Sequence, residues 1–166
     1  MNNDLASLSK RLRAVEDQLA IYQLVCGYGY AVDGLNAEAV GSLYAADGVY
    51  AVADVGAFNG RERISAITAD AGHRNLVSQG CAHMSTLPYV VISGDRACAT
   101  CHTMVIMNGE NGFYIGRLSA SRLELSRNPD GRWQIDHRQN YLLNGDASGP
   151  ALLARLQQPP TSAGTP

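Results

Sequence analysis

The stretch CAHMSTLPYVVISGDRACATCHTMVIMNGENGFYIGRLSASRLELSRNPDGRWQIDHRQNYLL, Cys81 to Leu143, decides the fold class. It is rich in β-branched and small apolar residues, and turn residues cut it repeatedly. Ala82 to Ser93 reads as a strand, Gly94-Asp95 as a turn, and Arg96 to Met107 as the next strand. Asn108 to Gly112 reads as a loop and Phe113 to Arg127 as a long strand. Asn128 to Gly131 is a turn, and Arg132 to Leu143 is the last strand. Consecutive hairpins of this kind make an antiparallel meander.

The preceding sequence is helical in texture. From Asp4 to about Asp33, apolar or small residues recur at Leu5, Leu8, Leu12, Val15, Leu19, Tyr22, Cys26 and Gly29. This three-and-four spacing predicts one helix with one buried stripe. Gly34 is its expected stop, and Asn36 the expected N-cap of a short helix over Ala37 to Ala46. Asp47-Gly48 reads as a turn and Val49 to Val55 as a strand. After Asn59-Gly60, Arg61 to about Ala71 reads as a third helix with Ile64 and Ile67 inward. Helices first and strands later predict an α+β domain with the helices on one sheet face.

Composition narrows the function. The 166 residues are 46% hydrophobic and 17% charged, which suits one domain with a real core, spanning 1–158. The segment 159–166, rich in Pro, Ser, Thr and Gly, is expected to be a disordered tail. A net charge of -2 argues against nucleic acid as a partner. No apolar run is long enough to span a bilayer, and Met1 to Lys10 lacks a signal-peptide core. The expected location is therefore cytoplasmic. Cys98 and Cys101 form a CxxC on a strand, with no second pair and no zinc spacing, and are expected to be reduced core residues.

No phosphate loop, GxSxG or HExxH is present, so chemistry must lie in isolated polar residues. Asp33 continues the helix stripe seven residues after Cys26, and Tyr30 lies one turn before it. An inward carboxylate needs a partner or a wet cavity; the alternative is a turn residue facing solvent. His83 opens a strand face shared with Ser85, Leu87, Tyr89 and Val91, where a histidine is either a satisfied core residue or a catalyst. His102 lies mid-strand with Cys98, Thr100, Met104 and Ile106, while His73 and His137 read as surface residues. Arg117 shares a face with Phe113, Ile115, Ser119, Ser121, Leu123 and Leu125, and needs a carboxylate or an anionic ligand there. Arg138 falls opposite Trp133 and Ile135 by strict alternation, so its direction depends on a bulge.

Ile21 to Tyr50, Asn59-Gly60-Arg61-Glu62, CAHMSTLPYVVISGDRACAT and DGRWQIDHR together resemble the SnoaL-like branch of the nuclear transport factor 2-like superfamily. The likeness covers roughly residues 10 to 145. It implies a cone-shaped barrel: a curved antiparallel sheet, covered by three N-terminal helices, around a mainly apolar pocket. The pattern is most similar to the scytalone dehydratase and hexachlorocyclohexane dehydrochlorinase type, which use an Asp–His pair and no cofactor. That resemblance implies Asp33 and His83 as the pair, with Tyr30 and Arg117 beside them in catalysis. It places Tyr50, His102 and Arg138 around the substrate. Arg117 stands where scytalone dehydratase has a second histidine, so this substrate should differ.

The implied activity is a cofactor-free lyase or isomerase acting on a small, mostly apolar molecule, with no metal. The alternative is a non-catalytic ligand-binding or assembly domain of the same fold. A ketosteroid-isomerase mechanism would want an inward acid on the later strands, and an epoxide hydrolase an acid partner for Arg117. Family habit implies a homodimer or homotrimer.

Overall fold

The computed structural model describes residues 2–53 and 55–160. Helix α1 runs Asn2–Asp33 and α2 Ala37–Ser42, followed by strands β1 (Tyr44–Val52) and β2 (Gly56–Asn59). Helix α3 (Arg61–Ser65) passes through a 3-10 turn, Ala66–Ala69, into α4 (Ala71–Gln79). Strands β3 (Cys81–Ser85), β4 (Tyr89–Ser93), β5 (Arg96–Gly109), β6 (Gly112–Arg127) and β7 (Trp133–Leu142) follow, and α5 (Ser148–Ala154) comes last. The expected α+β class holds. The segment 161–166 of the expected tail lies outside the described residues.

Local chemistry explains the boundaries. α1 ends where Gly34 N–H bonds Tyr30 C=O and Leu35 takes a left-handed φ of 52°. Asn36 then caps α2 by accepting from Ala39 N–H at 2.9 Å. The third helix divides because Asp70 turns extended and caps a new helix, accepting from His73 N–H at 3.1 Å. Pro88 and its neighbours separate β3 from β4, so the strand expected over Ala82 to Ser93 is two. The Asp47-Gly48 turn is an irregularity within β1, which starts at Tyr44 rather than Val49.

The sheet order is β2-β1-β7-β6-β5-β3, with β4 also on β5. The meander is antiparallel, but β1 joins β7 in parallel, so the curved sheet is mixed. The core lies between α1, α2 and the sheet: Ile21, Val25 and Val32 meet Tyr44, Leu123, Leu125 and Ile135. The core face of α1 is therefore Ile21, Leu24, Val25, Tyr28 and Val32, which still repeats every three or four residues. The N-terminal part of the stripe expected to be buried is not, while its later residues Tyr22 and Cys26 are partly buried and Gly29 is buried. Leu5, Leu8, Leu12, Val15 and Leu19 are each 54–63% exposed.

Candidate active site

Three devices bring polar side chains to one place. The first is Gly29 of α1, where a Cβ would run into the His83 carbonyl oxygen. Only glycine lets the helix lie this close to β3. One turn later, Asp33 meets the start of that strand. Its Oδ1 accepts from His83 Nδ1 at 2.5 Å and its Oδ2 from His83 N–H at 2.7 Å. Cys81 Sγ donates weakly to Oδ1 at 3.7 Å. Burial works to raise the Asp33 pKa, but the hydrogen bonds and charge of His83 outweigh it and hold the carboxyl below its ordinary value.

The second device is a bulge at Asp136. The β6–β7 register passes from Glu124 opposite His137 to Leu125 opposite Ile135, skipping one residue. Alternation is reset, and Arg138 turns inward with only 4% exposure. Its guanidinium carbon lies 4.4 Å from the Tyr28 ring centroid and 4.8 Å from that of Tyr50. Arg138 Nε donates to Asn140 Oδ1, which also accepts from Ser121 Oγ at 2.6 Å, while Asn140 Nδ2 donates to Tyr50 Oη. The third device is a bulge at Gly116, between pairs Val105–Arg117 and Ile106–Ile115. It separates Arg117, which is half-buried, from the exposed Phe113 and Ile115 that were expected beside it.

His83, Tyr28, Tyr50, Arg117, Arg138 and Asn140 line one notch. Its free space is only about 10 Å³, enough for about one water. It shares Val105 and Arg117 with an outer hollow of about 390 Å³, floored by Leu76, Met107, Leu118 and Leu142. The space for a ligand is therefore mostly at the mouth, with the polar groups at its inner end.

Of the residues singled out from sequence, the fold brings together Asp33, His83, Tyr50, Arg117 and Arg138. Two lie elsewhere. Tyr30 is 83% exposed. At 100° per residue it lies about 170° from the Ile21, Leu24, Val25 and Tyr28 core face, and Tyr28 takes the inward place. His102 is exposed on the outer face of β5, because Cys101, Thr103 and Val105 take the inner one. Tyr30→Ala should leave activity within about twofold and stability within about 0.5 kcal/mol, as for other surface substitutions; a thermal melt with a turnover assay checks it.

Three neighbours were not singled out. Tyr28 and Asn140 carried only the periodicity of core positions. His73 read as surface, yet it is buried, with Nε2–H donating to Val32 C=O at 2.9 Å. Its ring centroid is 5.6 Å from that of His83. Asp33, Cys81 and His83 could offer a metal three atoms within 4.8 Å of one another. In this structure Asp33 accepts hydrogen bonds from both of the others. The CxxC cysteines are free thiols, and burial is the main cause that pushes Cys98 up to about 12.

Residues 13–139 match the SnoaL-like domain family. The chain belongs to that family. Among solved structures, this SnoaL-like chain is similar to a nuclear transport factor 2-like protein with a cystatin-like fold from Novosphingobium aromaticivorans. The two share 39% identity over 90% of this chain and 96% of that one, with a TM-score of 0.86. A Mycobacterium tuberculosis protein of unknown function matches at 19% identity over 90% of this chain and 89% of its own, with a TM-score of 0.68. A Catenulispora acidiphila protein matches at 22% identity over 83% of this chain and 96% of its own, with a TM-score of 0.66. These two show the fold alone. No curated protein matches the chain. No helix among the described residues is long and apolar enough to cross a membrane.

Proposed function

We propose that this SnoaL-like protein is a lyase or isomerase of the dehydratase type, working on a small, mostly apolar molecule through a His83 general base. The observation that carries the reading is the 2.5 Å hydrogen bond from His83 Nδ1–H to Asp33, with His83 lining the notch. The carboxylate fixes the tautomer, leaving Nε2 as the free base, and stabilises the imidazolium that forms.

In the dehydration form, His83 Nε2 removes a proton from the carbon beside a carbonyl. The C–H electron pair moves to the carbonyl oxygen as an enolate. Tyr50 and Arg138 stand ready to hold that oxyanion. The enolate then collapses to a carbon–carbon double bond and expels the β-hydroxyl, which takes the proton from His83 and leaves as water. In an isomerisation, the same proton returns to a different carbon.

Solvent-deuterium incorporation tests the base without knowing the full reaction. A panel of small β-hydroxy ketones and cyclic enones, incubated in D₂O, should show C–H exchange with the wild type by proton NMR. His83→Ala should show none. Exchange that persists in His83→Ala would sink the reading. A second reading, an assembly or ligand-binding domain, draws on the bare apolar line along α1. It expects no exchange with either protein.

A further inference from the structure

We propose that the site selects a carboxylate-bearing molecule: an apolar body in the outer hollow, with its carboxylate on Arg117. This rests on the same pocket as the proposed activity but not on the chemistry of His83.

Arginine pairing separates the site from the rest of the sheet. Arg96 pairs with Asp136, Arg122 with Glu124, Arg127 with Asp17 and Arg132 with Asp130. Arg117 and Arg138 have no acid partner among the described residues. No aspartate or glutamate lines either the notch or the outer hollow. The nearby acid, Asp33, is already engaged by His83. Two guanidinium groups therefore face a space without a counter-charge.

The two arginines differ in what they have instead. Arg138 packs against two tyrosine rings and bonds Asn140. Arg117 has no ring, hydroxyl or amide partner among the described residues. It stands where the polar notch opens into the Leu76, Met107, Leu118 and Leu142 surface. Half-burying a cation against apolar walls is costly unless an anion completes it. A carboxylate fits the planar guanidinium fork through two parallel hydrogen bonds. Its apolar remainder would lie on the hollow floor, and the inner end would reach His83.

Isothermal titration with 3-phenylpropionate and its neutral amide, matched in size, tests this. The wild type should bind the carboxylate at least about tenfold more tightly, as expected for a charged, desolvated contact of ~1.4 kcal/mol. Arg117→Gln should lose the preference, and Arg117→Lys should keep part of it, with both folds checked by circular dichroism. Equal binding of the two probes, no binding of the carboxylate, or an unchanged preference in Arg117→Gln would each overturn the inference. His83→Ala should keep the carboxylate preference. Its turnover reports on the proposed activity alone, so the two can fail separately.

A different observation points to an interface between copies of this chain. The bare residues of α1, Leu5, Leu8, Leu12, Val15 and Leu19, alternate spacings of three and four. That is the heptad seam of a coiled coil. At 100° per residue it lies about 170° from the Ile21, Leu24, Val25 and Tyr28 face that enters the core. The seam thus looks away from its own domain. Residues 4–16 are all exposed, and the domain first grips α1 at Asp17, which bonds Arg127 and Trp133. A bare projection of this length is marginal as a helix in water.

The occupant that fits is α1 of a second copy, running parallel. In that register Arg11 and Glu16 flank the seam at positions that face each other across the pair, giving two opposite-charge contacts. The antiparallel register sets Arg11 against Gln18 and Glu16 against Ser9 instead. Sedimentation velocity should find a dimer for the wild type and a monomer for Leu12→Asp, whose side chain is exposed and not needed by the domain. Arg11→Glu should weaken the dimer several-fold, and adding Glu16→Arg should restore it. A monomeric wild type, a dimer that survives Leu12→Asp, or a charge swap that fails to restore pairing would each overturn the parallel seam.

Discussion

His83→Ala should lower turnover by roughly 10²–10⁴-fold while leaving the fold intact, the range for losing a positioned general base. The side chain is largely buried at a strand start but lies outside the apolar core cluster, so its removal opens little of that core. Asp33→Asn should cost a similar factor. The amide keeps the shape of the carboxylate but offers no ionised acceptor to both His83 Nδ1–H and His83 N–H. The acid limb of stability should change too. The Asp33 pKa is lowered by folding, so its contribution is present above the unfolded value near ~3.9. It is lost as pH falls through the lower folded value. Urea titrations at falling pH should show this component in the wild type and not in Asp33→Asn. Turnover within twofold of wild type in either variant would remove the base from the mechanism.

Gly29→Ala should both destabilise the protein and cripple the site. Alanine in place of a mid-helix glycine normally stabilises by up to ~1 kcal/mol. Here the new methyl group would strike the His83 carbonyl oxygen, which is backbone and cannot rotate away. Overpacking of this kind costs ~1–3 kcal/mol, occasionally more, so the clash wins. The melting temperature should fall by roughly 2–4 °C for each kcal/mol lost. The strand must also move, taking His83 from Asp33, and a shift of ~1 Å is worth about 10² in rate. A more stable, fully active Gly29→Ala protein would show that the close approach of α1 and β3 does not hold the pair.

How far the site was legible depended on which structural rule placed each residue. Asp33 and His83 could be singled out because each is a polar residue on an otherwise apolar line. The resemblance then paired them across 50 positions of sequence. Tyr30 was misplaced because a helix stripe read from its exposed half does not identify its core half. Tyr28 follows the spacing of Ile21, Val25 and Val32 and is the inward tyrosine. Arg138 could not be directed from alternation alone. The bulge at Asp136 that turns it inward leaves no local mark in the sequence.

The order of elements, the α+β class, the meander and the turn positions were determined by local sequence. Periodicity, caps and glycines act within a few residues, so they can be read there. The seam on α1 was also visible as spacing, but its exposure was not. Tertiary structure decided which of two apolar lines on α1 enters the core, that β1 runs parallel to β7, that a bulge at Asp136 aims Arg138 inward, and that one at Gly116 turns Phe113 and Ile115 away from Arg117. It also decided that the notch is nearly full and opens into an apolar hollow. Each of these depends on contacts between segments far apart in sequence, where pairing energy is set by packing rather than by the residues' own preferences.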